Sequence, residues 1–429
     1  MKTRALFTFN ALILGLLVLS TGASAQEKDA PKLEIGVQFS SLSVTLPGFG
    51  GTETAVGVGS RITYNLNDYF AVEAEGNLSP SNIRSDYTTG GASQQMQFGV
   101  KAGKRWNRFG VFAKARPGFI SFGDTLTPAQ ASAGGIPFIQ FVNERKTHFS
   151  MDLGGVLEFY PSRRMLVRFD AGDTIIRYGE HAEFQQFFPA GPTFTTGASQ
   201  TKHNFQFTAG VGFRFGRGAD DDAGASQSSS TDERVRRFEL GIQFSSLVLN
   251  PPSNSSFGGD GSQAEAGGGV RFGYNATNNL AFEIEGNFYP RRRFGTNTAI
   301  GGYPAQMQTG VKYGRRFEHF GVFAKARPGI VTFSSVSEVS GYESFTFGGQ
   351  TFFFPNFRQT SKTYFSMDLG GVVEFYPTKR ILTRFDVGDT MIRYPERDNP
   401  STFVTTPPQR LPATVRHNLQ ITAGIGFRF

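Results

Sequence analysis

The sequence predicts an all-β fold, a transmembrane antiparallel up-and-down β-barrel that is present twice in one chain. The first observation behind this is the last strand. Leu419, Ile421, Ala423, Ile425, Phe427 and Phe429 alternate with Asn418, Gln420, Thr422, Gly424, Gly426 and Arg428, a period of two that no amphipathic helix gives. The second is repetition: His203–Phe215 is a near twin of this strand, Gly110–Gly118 recurs unchanged as Gly321–Gly329, and Phe149–Gly155 recurs unchanged as Phe365–Gly371. The third is that connections alternate between short and long, as they do where tight turns lie on one side of a membrane and larger loops on the other.

The chain opens on a basic Met1–Arg4, an apolar run from Ala11 to Leu19, and the small residues Ala23, Ser24 and Ala25 ahead of a polar stretch. That is the pattern of a secretory signal peptide over 1–25, and the apolar run is too short to span a bilayer. No other stretch approaches about 20 apolar residues, which excludes helical spans. The absence of cysteine suits export through an oxidising compartment and removes thiolate metal sites and cysteine nucleophiles. With 46 Phe and 53 Gly, the composition suits strands that show one face to lipid and a small or polar face inward. The formal net charge is +8, of which Lys2 and Arg4 contribute two, so the chain beyond the leader carries +6. So mild an excess points to acidic lipid headgroups ahead of nucleic acid, because no basic run is interleaved with a stacking platform.

Eight strands are expected in the first half, at about 33–43, 54–65, 69–78, 94–106, 109–122, 146–160, 163–178 and 202–215. The second half repeats them at about 238–248, 265–275, 280–288, 304–316, 320–333, 361–376, 380–394 and 415–429. Short turns fall at 65–68, 107–108 and 161–162, and long loops at 44–53, 79–93, 123–145 and 179–201. The domains are therefore a first barrel, 26–215, and a second, 238–429. Between them, 216–237 is rich in Gly, Ala, Ser and Asp and reads as a flexible linker on the short-turn side, reaching about 25 Å on average.

Each half resembles the eight-stranded barrels of the OmpA and OmpX type of outer-membrane protein of Gram-negative bacteria. The resemblance covers nearly all of the chain beyond the leader and rests on strand pattern, loop asymmetry and the terminal Phe429. It implies residence in the bacterial outer membrane, contact with outer-membrane lipid and lipopolysaccharide, and insertion by the barrel-assembly machinery, which reads the terminal strand. On that resemblance the assembly signal falls on Phe427 and Phe429. The first copy departs from the pattern, because Phe215 runs on into Gly216.

Strand alternation also sorts the charges. Glu34, Arg61, Glu73, Glu75, Lys101, Arg105, Lys114, Arg116, Asp152, Glu158, Arg168, Asp170 and Arg214 fall opposite the apolar series and so point inward. Their counterparts are Glu239, Arg271, Glu283, Glu285, Lys312, Arg316, Lys325, Arg327, Asp368, Glu374, Arg384, Asp386 and Arg428. Seven positive charges against six negative nearly cancel in each half. A small barrel is filled by its own side chains, and a buried charge without a partner costs several kcal/mol, so a salt-bridged plug is expected. The rival is that Glu73 with Glu75, or Asp152 with Asp170, are paired carboxylates for acid-base work or a metal. Their spread over all the strands, with basic residues to match, favours packing.

The inward glycines, among them Gly57, Gly59, Gly99, Gly103, Gly154, Gly210 and Gly212, are expected to make room for long Arg and Lys chains. A phosphate cradle is disfavoured because Val56–Ser60 has no following helix and no P-loop lysine. Tyr64, Tyr69, Trp106 and Phe109 suit an interfacial girdle at the short-turn side. His203 and His417 occupy equivalent rim positions, with no Ser-His-Asp set around them in the sequence. In the third long loop, Phe138 to Phe141 and Thr351 to Pro355 form either a contact surface or a hairpin extension packed on itself. No catalytic, cofactor or metal site is expected, and the chain reads as not an enzyme. Two filled barrels imply a structural, envelope-stabilising or adhesive protein acting through its loops. The alternative is one sixteen-stranded barrel, a porin passing small polar solutes.

Overall fold

The computed structural model describes residues 31–47, 51–133, 136–186, 193–216, 236–252, 262–291, 298–398 and 410–429. The expected signal peptide 1–25 and nearly all of the linker 216–237 lie outside the described residues. The barrel strands of the first half are β1 (Leu33–Thr45), β2 (Thr52–Asn65), β3 (Phe70–Ile83), β4 (Gly91–Arg105), β5 (Phe109–Ala133), β6 (Ile136–Phe159), β7 (Met165–Tyr178) and β8 (Phe205–Phe215). Each is hydrogen-bonded antiparallel to the next. The ring closes where β1 meets β8, from Leu33↔Phe215 to Leu42↔Gln206. With both edges of the first half paired to each other, the Ala264↔Thr54 bridge to the second half does not open the ring into a sixteen-stranded barrel, and that alternative is set aside.

The second half contributes β9 (Phe238–Leu249), β10 (Gln263–Asn275), β11 (Leu280–Phe288), β12 (Pro304–Arg316), β13 (Phe320–Phe347), β14 (Gln350–Phe375), β15 (Ile381–Tyr394) and β16 (Leu419–Arg428). Neighbours again pair in order. β16 pairs with β15 on one side, from Ile381↔Phe427, and with β9 on the other, from Glu239↔Arg428.

The short turns are held by local chemistry. Asn67 Oδ1 accepts from the Tyr69 and Phe70 amides, both at 2.8 Å, while the Trp106 and Phe109 rings stack across the next turn at 4.6 Å. Along β5, the outward positions from Phe109 to Phe119 are apolar or small and then give way to Ser121 and Gly123. Ten residues at about 3.4 Å, tilted by about 45°, make a band of about 25 Å, the height of an outer-membrane hydrophobic belt.

One expected loop is not a loop. Residues 123–133 and 136–145 continue β5 and β6 as a hairpin, and β13 and β14 do the same over 28 and 26 residues. Register shifts between Phe122 and Thr125, and between Phe333 and Val336, mark the point where each hairpin leaves its barrel. The second hairpin turns on Gly348 and Gly349, both at positive φ (60° and 80°), the two-residue turn that matches strand twist.

The inward glycines answer to the backbone as well as to long side chains. A Cβ on Gly154 would lie 2.6 Å from the Gly172 Cα and closer still to the Ala171 carbonyl oxygen, so small residues let neighbouring strands approach in a narrow, strongly coiled barrel.

The two halves touch along faces that alternation assigns to lipid. Phe169 stacks on its own counterpart Phe385 at 5.9 Å and 3°, and Phe207 stacks on Phe244 at 4.2 Å. Phe159, Phe375, Ala209 and Ala423, again equivalent pairs, are buried in the same seam. Arg108 in one short turn donates to the Pro377 carbonyl in another at 2.9 Å, so the short turns of both halves lie on the same side.

Candidate functional site

The inward series of each strand runs through three zones. Nearest the short turns and at mid-height stand the charges, above them uncharged polar residues, and at the loop side an apolar layer. All thirteen inward charges of the first half are buried except Arg105, which is half-buried; in the second half Arg316 and Arg428 are half-buried and the others buried.

Strand geometry decides which of them meet. Arg116 Nε and Nη2 donate to Asp152 at 3.0 and 2.6 Å, Nη1 reaches Glu75, and Glu73 and Asp170 lie at 3.7 and 3.5 Å. Arg168 forks onto Asp170 (2.6 and 2.8 Å) and, across the lumen from a strand 95 residues away, onto Glu73 (2.9 Å). Lys114 sits 2.7 Å from Asp152. Lys101 bridges Glu34 (3.5 Å), Glu73 (3.7 Å) and Glu158. Arg105 and Arg214 complete the set on Glu34 at 3.3 and 3.5 Å, and the Arg214 guanidinium lies over the Tyr160 ring at 4.3 Å. Planar guanidinium forks on carboxylates are the strongest geometry available to such a network.

The second half repeats most of the arrangement, except that Arg428 donates to the Thr378 carbonyl at 3.4 Å where Arg214 meets Glu34. Arg327 holds Asp368 (3.0 and 2.7 Å) and Glu285, while Arg384 holds Glu283 (2.9 Å) and Asp386 (2.8 Å). Lys325 meets Asp368 at 2.8 Å, Lys312 meets Glu239, Glu283 and Glu374, and Arg316 lies 3.8 Å from Glu239. Arg428 covers the Tyr376 ring at 4.3 Å.

The seventh positive charge of each half is Arg61 or Arg271. Neither is ion-paired among the described residues; each donates to a glutamine, Gln38 at 2.8 Å and Gln243 at 3.0 Å. Those glutamines in turn donate to Asn77 and Asn287, both at 2.9 Å. Sequence reasoning, which counted charges only, missed this polar layer. It also missed the pair Gln95 and Gln206, which donate to each other across the barrel at 3.1 and 2.9 Å, and their counterparts Gln306 and Gln420 at 3.0 and 2.9 Å. The signal was available, since all of these residues share the inward parity of the charges.

The apolar layer was missed for a different reason. Leu42, Val44, Leu46, Ala55, Ile83, Ile120, Phe122, Ile176 and Tyr178 form one buried cluster at the loop-side mouth, and Leu247, Leu249, Tyr289, Val331, Phe333, Ile392 and Tyr394 belong to its equivalent. Equating apolar with lipid-facing hides residues such as Leu42 and Val44, which keep the parity of Glu34 and Gln38.

The two rim histidines do not meet a nucleophile in the described contacts. His203 Nδ1 lies 2.5 Å from Asp173 and His417 Nδ1 lies 2.5 Å from Asp389, on exposed surface, and the same aspartates accept the Asn204 and Asn418 amides at 3.0 and 3.1 Å. The arrangement fixes the chain where it enters the last strand. The hairpins beyond the membrane carry exposed Phe138, Phe141, Phe345 and Phe347, with Phe345 and Phe347 stacked at 6.4 Å. Phe427 and Phe429 stack at 6.3 Å on the outer face, and Phe429 pairs through its backbone with Phe238. If the terminal aromatic pair is an assembly signal, deleting Phe429 should lower the amount of heat-modifiable, membrane-inserted protein several-fold. Unchanged insertion would show that Phe429 is only a packing residue.

Residues 11–215 match the family model described as the outer membrane protein beta-barrel domain. No curated protein matches the chain. Solved structures similar to it include the N-terminal β-barrel domain of Pseudomonas aeruginosa OprF, at 9% identity and TM-score 0.24, covering 46% of this chain and 100% of that one. The attachment invasion locus protein Ail of Yersinia pestis matches at 15% identity and TM-score 0.25, covering 43% and 97%. Neisserial surface protein A matches at 15% identity and TM-score 0.24, also covering 43% and 97%. The first half of the chain is thus an outer membrane protein β-barrel domain, and the protein is a β-barrel protein of the bacterial outer membrane.

Proposed function

We propose that this protein is a tandem of two closed, filled eight-stranded barrels, 26–215 and 238–429, joined by a periplasmic linker, 216–237. Its role is structural, envelope-stabilising or adhesive, exerted through the loops and hairpins on the outer side. Its partners are outer-membrane lipid and lipopolysaccharide along the belt, and the barrel-assembly machinery during insertion. The observation that carries this reading is the occupied lumen. Arg116, Arg168, Arg327 and Arg384 rank among the largest fully buried side chains, and an apolar layer lies above them in each half. Ion-paired charges fix the interior, and the apolar layer puts a low-dielectric barrier in the path of any ion. The pairing of the first and last strands within each half supports two rings in place of one wide pore. Catalysis is disfavoured because Glu73, Glu75, Asp152 and Asp170 are each engaged by an arginine or lysine.

Planar-bilayer recording of the purified full chain tests this reading. Baseline noise without stable openings is the expected result. Large, long-lived conductance steps would overturn the filled-barrel reading in favour of a porin.

A further inference from the structure

The first barrel carries a cavity of about 480 Å³ on its loop side, between the β3–β4 loop, the top of β6 and the segment after β7. Its volume falls in the range of small-ligand sites. Arg145, Lys146 and Arg177 line it, with Glu180 as the one acidic side chain of the wall. Among the described residues none of the three cations has a carboxylate within ion-pair distance. Lys146 donates to the Tyr87 carbonyl at 2.8 Å and Arg145 to the Ser121 hydroxyl at 3.4 Å, and among the described residues the Arg177 side chain has no hydrogen-bond partner. Of the nearby carboxylates, Glu183 is engaged by His181 at 2.8 Å, Asp86 accepts from the Thr88 hydroxyl at 2.9 Å and Glu144 from the Thr127 hydroxyl at 3.1 Å. The floor is stiff: His148, buried, donates to the Thr88 carbonyl at 2.8 Å and packs on Tyr178 at 4.8 Å, and Tyr87 stacks on His181 at 6.1 Å.

Duplication supplies an internal control. By the repeat of Phe149–Gly155 as Phe365–Gly371, the counterparts of Arg145, Lys146, His148 and Arg177 are Ser361, Lys362, Tyr364 and Arg393. One cation is gone there. A second is neutralised, because Lys362 lies 2.5 Å from Glu338 and Arg358 lies 2.7 Å from the same carboxylate. Hydrogen bonds from Lys362 and Arg358 hold the Glu338 carboxyl below the usual carboxylate range. Among the described residues the first barrel therefore gathers three cations with no direct ion pair around a rigid, polar floor, whereas in the second barrel one counterpart is absent, Lys362 is ion-paired and Arg393 alone is left without an ion pair. Most of the interior charge of this chain is met by opposite charge, and on the loop side of the first barrel three cations face a single wall carboxylate, a local positive excess suited to an anionic ligand from outside the chain.

We propose that this cavity binds a phosphorylated saccharide from the outer side, with Arg145 and Arg177 holding the phosphate oxygens. Guanidinium forks suit phosphate, the aromatic and imidazole floor suits a sugar ring, and the volume suits a mono- or disaccharide. The ligand's source is either a lipid-borne headgroup of the surrounding leaflet or a soluble sugar phosphate. This proposal rests on the reading that the protein acts through its loop side. It does not require a filled lumen, so a conductance result and a binding result can fail separately.

The test uses the full chain in phosphatidylcholine nanodiscs, titrated by calorimetry with glucose 1,6-bisphosphate and, as the neutral control, glucose. Saturable binding of the bisphosphate and none of glucose is expected. Arg145→Gln combined with Arg177→Gln should weaken binding at least tenfold, whereas Arg393→Gln in the second barrel should leave it unchanged. Arg177→Gln alone, at an exposed position, serves if the double variant fails to fold. Repeating the titration in nanodiscs containing lipopolysaccharide separates the sources: loss of probe binding there assigns the site to the membrane's own phosphorylated headgroup, and retention assigns it to a soluble ligand. No bisphosphate binding in phosphatidylcholine, or equal binding by the Arg145/Arg177 variants, would overturn the proposal.

Discussion

Replacing Arg116 by methionine is expected to destabilise the first barrel by about 3–5 kcal/mol, the cost of leaving buried carboxylates without their cation. Arg116 is wholly buried and stands within 4 Å of Glu73, Glu75, Asp152 and Asp170, so its loss leaves Lys101, Lys114 and Arg168 to hold a crowded negative cluster in which Glu75 has lost its ion-pair partner. Trp106, the single tryptophan, belongs to the first half, so urea unfolding followed by its fluorescence reports on that barrel. The comparison is Arg145→Met on the hairpin, where a surface change should stay within about 0.5 kcal/mol. Arg327→Met, the equivalent change in the second half, should leave the Trp106 transition in place. If Arg116→Met and Arg145→Met shift the transition equally, the interior charges do not act as a network.

A second pair of variants sets neighbouring residues against each other. Gly154→Val should cost about 3 kcal/mol, the upper end for overpacking, because its Cβ would collide with the Ala171 carbonyl and the Gly172 backbone of the adjacent strand. A backbone atom cannot swing aside as a side-chain tip can. Gly155→Val, one position along, faces outward with nothing within 4 Å of its Cβ and should be neutral or stabilising through the β propensity of valine. Equal unfolding midpoints for the two variants would mean that strand approach is not the constraint on Gly154.

Much of this molecule was legible because a strand's side chains alternate with a period of two, which fixes the face of every residue once one is known. Glu73, Arg116 and Asp170 could be assigned inward without coordinates, and so could their counterparts. The same rule would have placed Gln38, Gln95 and Gln206 in the lumen had polar residues been followed with the care given to charged ones. The apolar loop-side layer was hidden by a shortcut, since Leu42 and Val44 obey the parity but not the expected polarity. The two hairpins beyond the membrane were hidden because Phe122 and Phe333 are followed by register shifts, which break the alternation where the strand leaves the barrel.

The sequence by itself determined the strand order, the duplication, the face of each side chain and the near balance of buried charge, because these depend on local periodicity and counting. Tertiary structure alone decided which charges meet. Arg168 finds Glu73 across the lumen because closing the first half brings strands 95 residues apart face to face. It also decided that Phe169 and Phe385 pack against each other while Val37 and Ile242 remain exposed. Alternation tells inside from outside, but all outward apolar residues look alike in one dimension. Which of them meet the other half depends on how two curved surfaces come together, and that is a property of the folded chain.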